Sequence, residues 1–326
     1  MRAAGRVVVL AGGYGGAKLS HGLALAGRAR VAGGGHGLEL TIIVNTGDDL
    51  ELHGLRVSPD LDTVMYTLAG LANDETGWGV RDETWSTSAM LARYGAETWF
   101  GLGDRDMATH VRRTELLRDG LTLTEATAEL AGRLEVPARL LPMTDDEVRT
   151  KIRTADGWLE FQDYFVRRRQ RDEVLQIRHR GVETARPTAA VLAAIDGAQL
   201  VVIAPSNPFV SVGTILALPG LQPALLAAPA PVVAVSPVVG GKALRGPADR
   251  MLRSLGGTAS AAGVVAHYRE RYPGLIDTFV LDECDAAEVP ALEASGAAVE
   301  LLPTIMRTYA DRQALAEAIL SHHLPR

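Results

Sequence analysis

Short apolar runs alternate with stretches of helical periodicity along most of the chain. Residues 7–11 and 40–44 are apolar without alternation, which is typical of strands buried on both faces of a parallel sheet. Similar strand-like runs occur at 97–101, 200–204, 231–235, 278–281 and 299–302. Helical patterns separate them, at 62–71, 87–94, 108–118, 191–195, 247–255, 261–271 and 313–322. This alternation predicts an α/β fold, a three-layer Rossmann-like sandwich with a mostly parallel sheet.

The alternation breaks between residues 121 and 186. A helical pattern at 124–134, with a capping threonine, precedes short strand-like runs at 139–141, 148–154 and 158–165. Ala155-Asp156-Gly157 fits a hairpin turn between the last two runs. We therefore predict a Rossmann-like core, residues 1–120 and 187–326. A small α+β insertion, residues 121–186, is expected to cap the carboxyl edge of its sheet.

Acidic residues gather where the second predicted strand ends. Asp48 and Asp49 follow that strand directly, and Asp60 and Asp62 come a short turn later. The carboxyl ends of parallel strands are where such sheets place their chemistry, so the four carboxylates are expected to lie close together. Carboxylates repel each other unless a cation lies between them, and hard dications prefer oxygen ligands. We therefore expect magnesium beside a diphosphate.

The first predicted strand ends in a glycine-rich turn, Gly12-Gly13-Tyr14-Gly15-Gly16-Ala17-Lys18, and a helical pattern follows. Glycines let the backbone approach an anion, and a helix N-terminus offers free N–H groups and a positive dipole. The spacing matches neither the dinucleotide fingerprint nor a Walker A loop. From this turn alone, a phosphate site and a simple tight turn both remain open.

Three further loops follow predicted strands and carry polar or glycine-rich sequence. They are Gly101-Leu102-Gly103-Asp104-Arg105-Asp106 with His110 beyond it, Ala204-Pro205-Ser206-Asn207-Pro208, and Ser236-Pro237-Val238-Val239-Gly240-Gly241-Lys242. Each has a structural alternative, such as an Asp–Arg pair in a turn or a structural histidine. Their coincidence at one sheet edge is more informative than any single loop. It predicts that the core, residues 1–120 and 187–326, binds a nucleotide-like ligand together with a metal, and that the insertion, residues 121–186, caps this site.

Composition narrows the function classes. The chain has 326 residues, a net charge of −6 and a single cysteine, Cys284. The acidic balance argues against a nucleic-acid surface, and one cysteine excludes an internal disulfide or a cysteine-rich zinc cluster. There is no signal-peptide pattern and no apolar run of about 20 residues, so we expect a cytoplasmic protein with no membrane partner. Two of its three lysines, Lys18 and Lys242, stand in the glycine-rich loops.

Taken in order, these motifs resemble those of the CofD/FbiA family, the 2-phospho-L-lactate (or phosphoenolpyruvate) transferases of coenzyme F-420 biosynthesis. The similarity is carried by Gly12-Gly13-x-Gly15-Gly16, Asn45-x-Gly47-Asp48-Asp49, Ser58-Pro59-Asp60-Leu61-Asp62-Thr63, the Gly101–Asp106 loop with Ala108-Thr109-His110, Phe161-Gln162-Asp163, the Ala204–Pro208 loop and the Ser236–Gly240 loop. Tyr14 departs from the family pattern, which often has a smaller or aliphatic residue there.

The resemblance implies a reaction. A phospho-acid unit passes from a guanylylated diphosphate donor to the deazaflavin alcohol Fo, with release of GMP, on a Mg²⁺-dependent homodimer. The acid can be lactyl, enolpyruvyl or glyceryl, and the arginine-rich composition favours enolpyruvyl without deciding it. Which aspartate takes the proton of the attacking hydroxyl also stays open.

The same resemblance, carried to matching positions, implies roles for individual residues. The implied catalytic residues and metal ligands are Asp48 and Asp62. The implied donor-binding residues are Gly12, Gly13, Gly15, Gly16, Lys18, Ser206, Asn207, Gly240 and Lys242. The implied acceptor-binding residues are Asp49, Asp62, Gly101, Asp104, Arg105 and His110.

Two other function classes are weighed against this one. A nucleotide-sugar-binding regulator of the gluconeogenesis-factor type would share the glycine turn and the acidic loop. It would lack the Pro59–Thr63 segment and the Gly103–Asp106 loop, which are both present here. An NAD-dependent dehydrogenase would need Gly-x-Gly-x-x-Gly in the first turn, and that spacing is absent.

Overall fold

The computed structural model describes residues 4–324, in which strands and helices alternate. The β-strands are β1 (Gly5–Ala11), β2 (Leu38–Val44), β3 (Leu50–Leu52), β4 (Leu55–Val57), β5 (Arg139–Pro142), β6 (Arg149–Thr154), β7 (Gly157–Glu160), β8 (Gln176–Arg180), β9 (Leu200–Ile203), β10 (Val232–Val235), β11 (Val238–Val239), β12 (Lys242–Ala243), β13 (Thr278–Asp282) and β14 (Val299–Leu302). The α-helices are α1 (Gly13–Ala32), α2 (Pro59–Leu68), α3 (Ser86–Arg93), α4 (Asp104–Arg118), α5 (Leu123–Arg133), α6 (Ala189–Asp196), α7 (Val212–Leu216), α8 (Leu221–Ala227), α9 (Ala248–Ser254), α10 (Ala261–Arg271), α11 (Val289–Ala294) and α12 (Tyr309–His323). A π-helical turn covers Asp163–Arg167, and a 3₁₀ helix covers Glu283–Glu288.

The central sheet has seven parallel strands in the order β14-β13-β10-β9-β1-β2-β5. In β1, Val9 lies opposite Ile42 of β2 on one side and Val202 of β9 on the other. The chain moves outward from β1 to β2 and β5, and then returns to β9 on the other side of β1. The strand order therefore reverses between β1 and β9, and ligands of open parallel sheets bind in the crevice at such a point.

Alternate residues of β1 face opposite sides of the sheet and create two hydrophobic layers. Val8 and Leu10 belong to a buried cluster with α6, α7, α8 and α10. Val7 and Val9 belong to a second cluster with α1, α2 and α12. Because both faces are covered, the strand is apolar throughout. This arrangement of helices on either side of a parallel sheet confirms the predicted three-layer fold. Within residues 4–324, no helix combines the length and the apolar character needed to span a bilayer.

Two predictions about the chain's organisation are wrong. Residues 97–101 form a loop rather than a strand, because Phe100 is drawn into a local cluster with Leu102 and Met107. The strand predicted at 139–141 does exist, but it is β5 and pairs with β2, with Leu141 opposite Ile43. Since β5 forms the edge of the central sheet, the insertion begins after β5 and the predicted boundary at residue 121 lies too early.

The insertion is built on a three-stranded antiparallel sheet in the order β7-β6-β8. The predicted hairpin joins β6 and β7, with Gly157 at a φ of 114°. The strand predicted at 158–165 ends at Glu160, and the π-helical turn follows. The third strand, β8, has the sequence Gln-Ile-Arg-His-Arg, whose polar content hides it from pattern analysis.

The turn between β1 and α1 passes so close to the loop after β9 that side chains are excluded. A Cβ on Gly15 would overlap the carbonyl oxygen of Pro205, and a Cβ on Gly16 would lie 2.7 Å from Ser206 Oγ. Gly13 has open space around it, but its φ of 62° is one that side chains rarely adopt. The fold itself therefore requires glycine at these three positions, whether or not a ligand binds there.

We expect Gly15→Ala to lower the free energy of unfolding by about 1–3 kcal/mol, because the added methyl group meets a backbone carbonyl that cannot move alone. The matched control is Gly132→Ala in α5, where a Cβ meets nothing within 4 Å. That change should raise stability by up to about 1 kcal/mol, the helix-propensity difference between the two residues. Urea unfolding of both variants tests this, and equal stabilities would contradict the close approach.

Candidate active site

A cavity of about 740 Å³ lies at the carboxyl edge of the central sheet, where the strand order reverses. Its wall comes from the turn after β1, the loops after β2, β9, β10 and β14, and helices α2 and α4. Phe161, Gln162 and Phe165 of the insertion are also part of this wall. Segments that are far apart in sequence thus meet where a doubly wound fold binds its ligands.

The first two amides of the glycine turn are used inside the protein. Gly12 N donates to Ser206 Oγ at 3.1 Å, and the same hydroxyl donates to Gly12 O at 2.8 Å. Gly13 N donates to Asp60 Oδ1 at 2.8 Å. These bonds fix the turn to the loop after β9 and to the start of α2. Among the described residues, the N–H groups of Tyr14 and Gly15 are those left to face a ligand.

Asn45 holds two aspartates of the cavity wall side by side. Its Nδ2 donates to Asp48 Oδ2 at 3.0 Å and to Asp60 Oδ2 at 2.9 Å, and its Oδ1 accepts from Gly47 N at 2.9 Å. Burial, followed by repulsion from Asp60, raises the pKa of Asp48 well above its ordinary value. Burial also raises the pKa of Asp60. A positive charge placed beside the two carboxylates would oppose both shifts.

The insertion holds the acidic loop after β2 in place. Thr150 N on β6 donates to Gly47 O at 2.7 Å, and Gln162 Nε2 donates to Asp48 O at 3.1 Å. A Cβ on Gly47 would lie 2.8 Å from Thr150 Oγ1, so the two segments touch directly. The position of Asp48 therefore depends on a residue 114 positions further along the chain.

A buried ion pair orients a second part of the acidic wall. Arg113 donates to both carboxylate oxygens of Asp62, at 3.1 Å to Oδ2 and more closely to Oδ1. His110 Nδ1 lies 3.3 Å from Arg113 Nη1, and because arginine only donates, the proton of a neutral His110 is on Nε2. Nε2 lies 3.2 Å from Asp106 Oδ1, an oxygen that accepts a hydrogen bond from Tyr66 OH at 2.8 Å. Asp62 is thus neutralised by an arginine.

Two groups of side chains offer atoms that could hold a metal. Asp62, Asp106 and His110 each present one such atom, all within 4.8 Å of one another, but Arg113 already occupies Asp62. Asp48 has a buried Oδ1 without a hydrogen-bond partner among the residues described. Asp48 and Asp62, the predicted ligand pair, therefore line one cavity but belong to different groups.

Two residues predicted to bind the acceptor have structural contacts outside the cavity wall. Asp104 accepts from Ser86 N at 3.0 Å and Thr87 N at 2.9 Å, and so stabilises the N-terminus of α3. Hydrogen bonds to its carboxylate, the one from Thr84 first, lower the pKa of Asp104 to about 2. Arg105 is exposed and donates to a backbone carbonyl at 3.2 Å.

Asp49 also lies outside the wall and accepts from Ser58 Oγ at 2.6 Å. The predicted acceptor residues that do line the cavity are Asp62, Gly101 and His110. The acceptor-binding roles of Asp49, Asp104 and Arg105 remain predictions that these contacts do not support.

Most of the predicted donor residues line the cavity, namely Gly12, Gly13, Gly15, Lys18, Ser206 and Asn207. Gly16, Gly240 and Lys242 do not. Gly16 packs against the β9 loop, Gly240 N donates to Asp285 Oδ1 at 2.9 Å, and Lys242 is exposed. Arg245, three residues beyond Lys242, lines the cavity in its stead. The only feature of the sequence that could have indicated Arg245 is its position just after the Ser236–Lys242 loop.

The sequence motifs gave no ligand-binding role to the aromatic part of the wall, although Phe161 stands in one of the segments that carry the resemblance. Trp78 and Phe100 line the cavity from one segment of the chain, and Phe161 and Phe165 line it from the insertion, where their rings stack at 5.3 Å. Trp78 stands between Gly77 and Gly79, both at positive φ, and remains 47% exposed. A Gly-Trp-Gly segment in a loop is a signal that could have identified this residue.

The fold and the cavity define a Rossmann-like α/β protein whose sheet has, at its switch point, a cavity lined by both polar and aromatic residues. A sequence profile of the family described as 2-phospho-L-lactate transferase CofD matches residues 7–300. The chain therefore belongs to the CofD family, and the resemblance seen in its motifs is confirmed.

Curated relatives match over nearly the whole chain. The phosphoenolpyruvate transferase of Kitasatospora aureofaciens is 46% identical over 317 residues, which cover 96% of this chain and 95% of that protein. The phosphoenolpyruvate transferase of Mycobacterium avium is 44% identical over 335 residues, with 96% of both chains covered. A crystal structure of a upf0052 family protein from Bacillus halodurans has a TM-score of 0.69 at 16% identity, covering 98% of this chain and 100% of that chain. The structural match shows a shared fold.

The stability of the protein should depend on pH through Asp49, whose pKa is raised to about 7 by burial. The folded state binds this proton more tightly than the unfolded state, so the associated stability is present below about pH 4 and is lost as the pH rises to about 7. With chelator present, Asp49→Asn should lose less free energy of unfolding between about pH 4.5 and about pH 7.5 than the unmodified protein. Urea unfolding at both pH values measures this, and parallel profiles would refute the raised pKa.

Proposed function

We propose that this protein transfers a phosphoenolpyruvyl unit from a guanylylated diphosphate donor to the deazaflavin alcohol Fo and releases GMP, in coenzyme F-420 biosynthesis. The observation that carries the proposal is the set of curated phosphoenolpyruvate transferases that match at 41–46% identity along more than nine-tenths of the chain. Membership of the CofD family supports the coarser statement, transfer of a phosphoenolpyruvyl or phospholactyl unit. The guanylylated donor and the acceptor Fo are the finer parts of the proposal.

The donor's diphosphate fits the N-terminus of α1. This helix has 20 residues and no acidic residue in its first turn, so its terminal N–H groups and dipole favour an anion. Lys18 lines the cavity one turn further on, and its Nζ donates to Met306 O at 2.7 Å. An ammonium group has three donors, so two remain for phosphate oxygens.

The acceptor's flat ring fits the aromatic part of the wall, near Trp78 and Phe100. Aromatic side chains bind such rings through stacked or edge-on contacts. Gly101 and His110 lie in the same wall, and Asp62 and Asp106 provide polar groups for the hydroxyl-bearing side chain. Placed in this way, the acceptor hydroxyl would lie between the aromatic wall and the glycine turn.

Magnesium fits the acidic wall. Asp48 Oδ1 is buried without a hydrogen-bond partner among the described residues, which is the state expected of a ligand atom. Magnesium is commonly bound by one or two carboxylates together with substrate phosphates. Asp48 would be one such ligand. Asp60, which the Asn45 amide holds beside it, is better placed to be the second than Asp62, which is paired with Arg113. When bound, the ion would offset the charge of the diphosphate during transfer.

The reaction joins the acceptor oxygen to the phosphorus that carries the acid unit, breaks the bond from that phosphorus to the oxygen of GMP, and releases one proton. Such a transfer depends on positioning and charge neutralisation more than on covalent help. In this chain, the glycine turn, which is fixed by Ser206 and Asp60, would position the donor. The Asn45 amide holds the carboxylates of Asp48 and Asp60 side by side.

Incubating the protein with Fo, magnesium and each guanylylated donor in turn, with mass detection, tests the proposed function. We expect the enolpyruvyl donor to yield GMP and a product with the mass of Fo plus the phosphoenolpyruvyl unit. The lactyl and glyceryl donors are the matched comparison, and preference for either would correct the acid assignment. If no donor gives product but a uridine nucleotide sugar binds, the regulator interpretation replaces the transferase.

Asp48→Asn should reduce transfer by a factor of about 100 or more, since a fixed charge that stabilises transferring groups is worth that much. Excess chelator should have a similar effect on the unmodified protein. The matched control is Asp196→Asn, at an exposed position at the end of α6 that is outside the cavity. Urea unfolding checks that both variants fold. Full activity of Asp48→Asn, or full activity in chelator, would refute the metal site.

A further inference from the structure

Three basic side chains in the cavity wall form no direct ion pair with a carboxylate of the described residues. Lys18, Arg245 and Arg307, here called the cationic patch, all line the cavity. Within residues 4–324, none of the three forms an ion pair with an acidic side chain. Two acidic residues lie close to the patch. Asp74 is already paired with Arg312 at 2.7 Å, and Asp311 accepts from the backbone N–H groups of Arg307 and Thr308 at the start of α12. The cationic patch therefore has an unmet preference for an anion.

Tyr14 brings two members of the patch together. Lys18 Nζ lies 4.5 Å from the centre of the Tyr14 ring, and the Arg245 guanidinium lies 4.8 Å from the same centre. The third member, Arg307, directly follows Met306 in the sequence, and the Met306 carbonyl accepts a hydrogen bond from Lys18 Nζ. Lys18 and Arg245 are both held by the face of an aromatic ring, which leaves their charge intact. Burial, and then repulsion from nearby arginines, lowers the pKa of Lys18, as expected for a cation without a partner anion.

The patch retains many unused hydrogen-bond donors. Arg245 donates to the backbone carbonyls of Glu75, at 2.9 Å, and Thr76, so two of its five N–H groups are used. Lys18 uses one of three, and among the described contacts the Arg307 side chain uses none. Carbonyl partners position a guanidinium without neutralising it. Lys18 and Arg245 are thus oriented, and all three side chains still have donors for an anion.

We propose that the two arginines of the cationic patch, Arg245 and Arg307, bind the carboxylate of the donor's acid unit, while Lys18 stays available to the diphosphate. This inference rests on the proposed function and deepens it by assigning recognition of the transferred acid. The diphosphate already has a place at the first turn of α1, so a second anionic group must be matched elsewhere. A planar guanidinium fits a carboxylate through two parallel hydrogen bonds. The acidic wall, with Asp48 and Asp60, would repel the same carboxylate.

Calorimetry with two probes tests the proposal, the guanylylated phosphoenolpyruvate donor and GDP, which lacks the acid carboxylate. Arg245→Gln and Arg307→Gln should each weaken donor binding at least tenfold and change GDP binding less than threefold. In the transfer assay they should raise the KM for the donor and leave kcat within threefold. The matched control is Arg133→Gln, an exposed arginine on α5 that is outside the cavity, which should change neither.

Arg245→Lys separates charge from shape, because it keeps the charge but loses the two-pronged contact with Glu75 and Thr76. It should keep more donor affinity than Arg245→Gln if the patch binds an anion. Equal losses of GDP and donor binding in the Gln variants would overturn the proposal, and so would unchanged donor binding. Absence of transfer by the unmodified protein would refute the proposed function alone, since the comparison of the two probes does not require turnover.

Discussion

Negative charge buried beneath a ligand cavity is the constraint on which the rest of this structure depends. Each carboxylate of the wall is accommodated in a different way. Asp62 is paired with Arg113, and Asp60 accepts from the Gly13 amide and from Asn45. Asp48 keeps one oxygen without a partner in the described chain. Because an unpaired buried charge is costly, the glycine turn, the start of α2, α4 and the insertion are all arranged around these groups.

The core of the fold could be predicted because both faces of its strands are buried. β1 and β2 are apolar at nearly every position near their carboxyl ends, and short runs of this kind are typical of the central strands of a parallel sheet. Short edge elements are less distinctive. β5 has four residues and looked like part of the insertion, while the loop at 97–101 owes its apolar character to a local cluster. Tertiary packing decides such cases, and it leaves no periodic signal in so few residues.

The site could be predicted in outline because its loops follow strands whose carboxyl ends share one edge. Asp48, Asp62 and the glycine turn were found in this way. Arg113 and Arg245 were not, because an arginine on a helix or in a turn gives no indication of which distant carboxylate or ring it meets. The same limit applies to Asp104, whose contact with the first turn of α3 depends on the path of the intervening chain. Sequence order indicates which loops meet, whereas individual pairings require the packed structure.

The hydrogen bonds between the insertion and the acidic loop after β2 affect the order in which the protein folds. Gly47 and Asp48 are bound by Thr150 and Gln162, so the loop acquires these partners only after more than a hundred further residues have been synthesised. Contacts between residues so far apart in sequence form late, because a long loop must close first. Val7 of β1 pairs with Leu40 of β2, 33 positions away, whereas its pairing with Leu200 of β9 spans 193 positions. The β1–β2 pair can therefore form while Asp48 is still hydrated, and the desolvation of that carboxylate is deferred until the insertion docks.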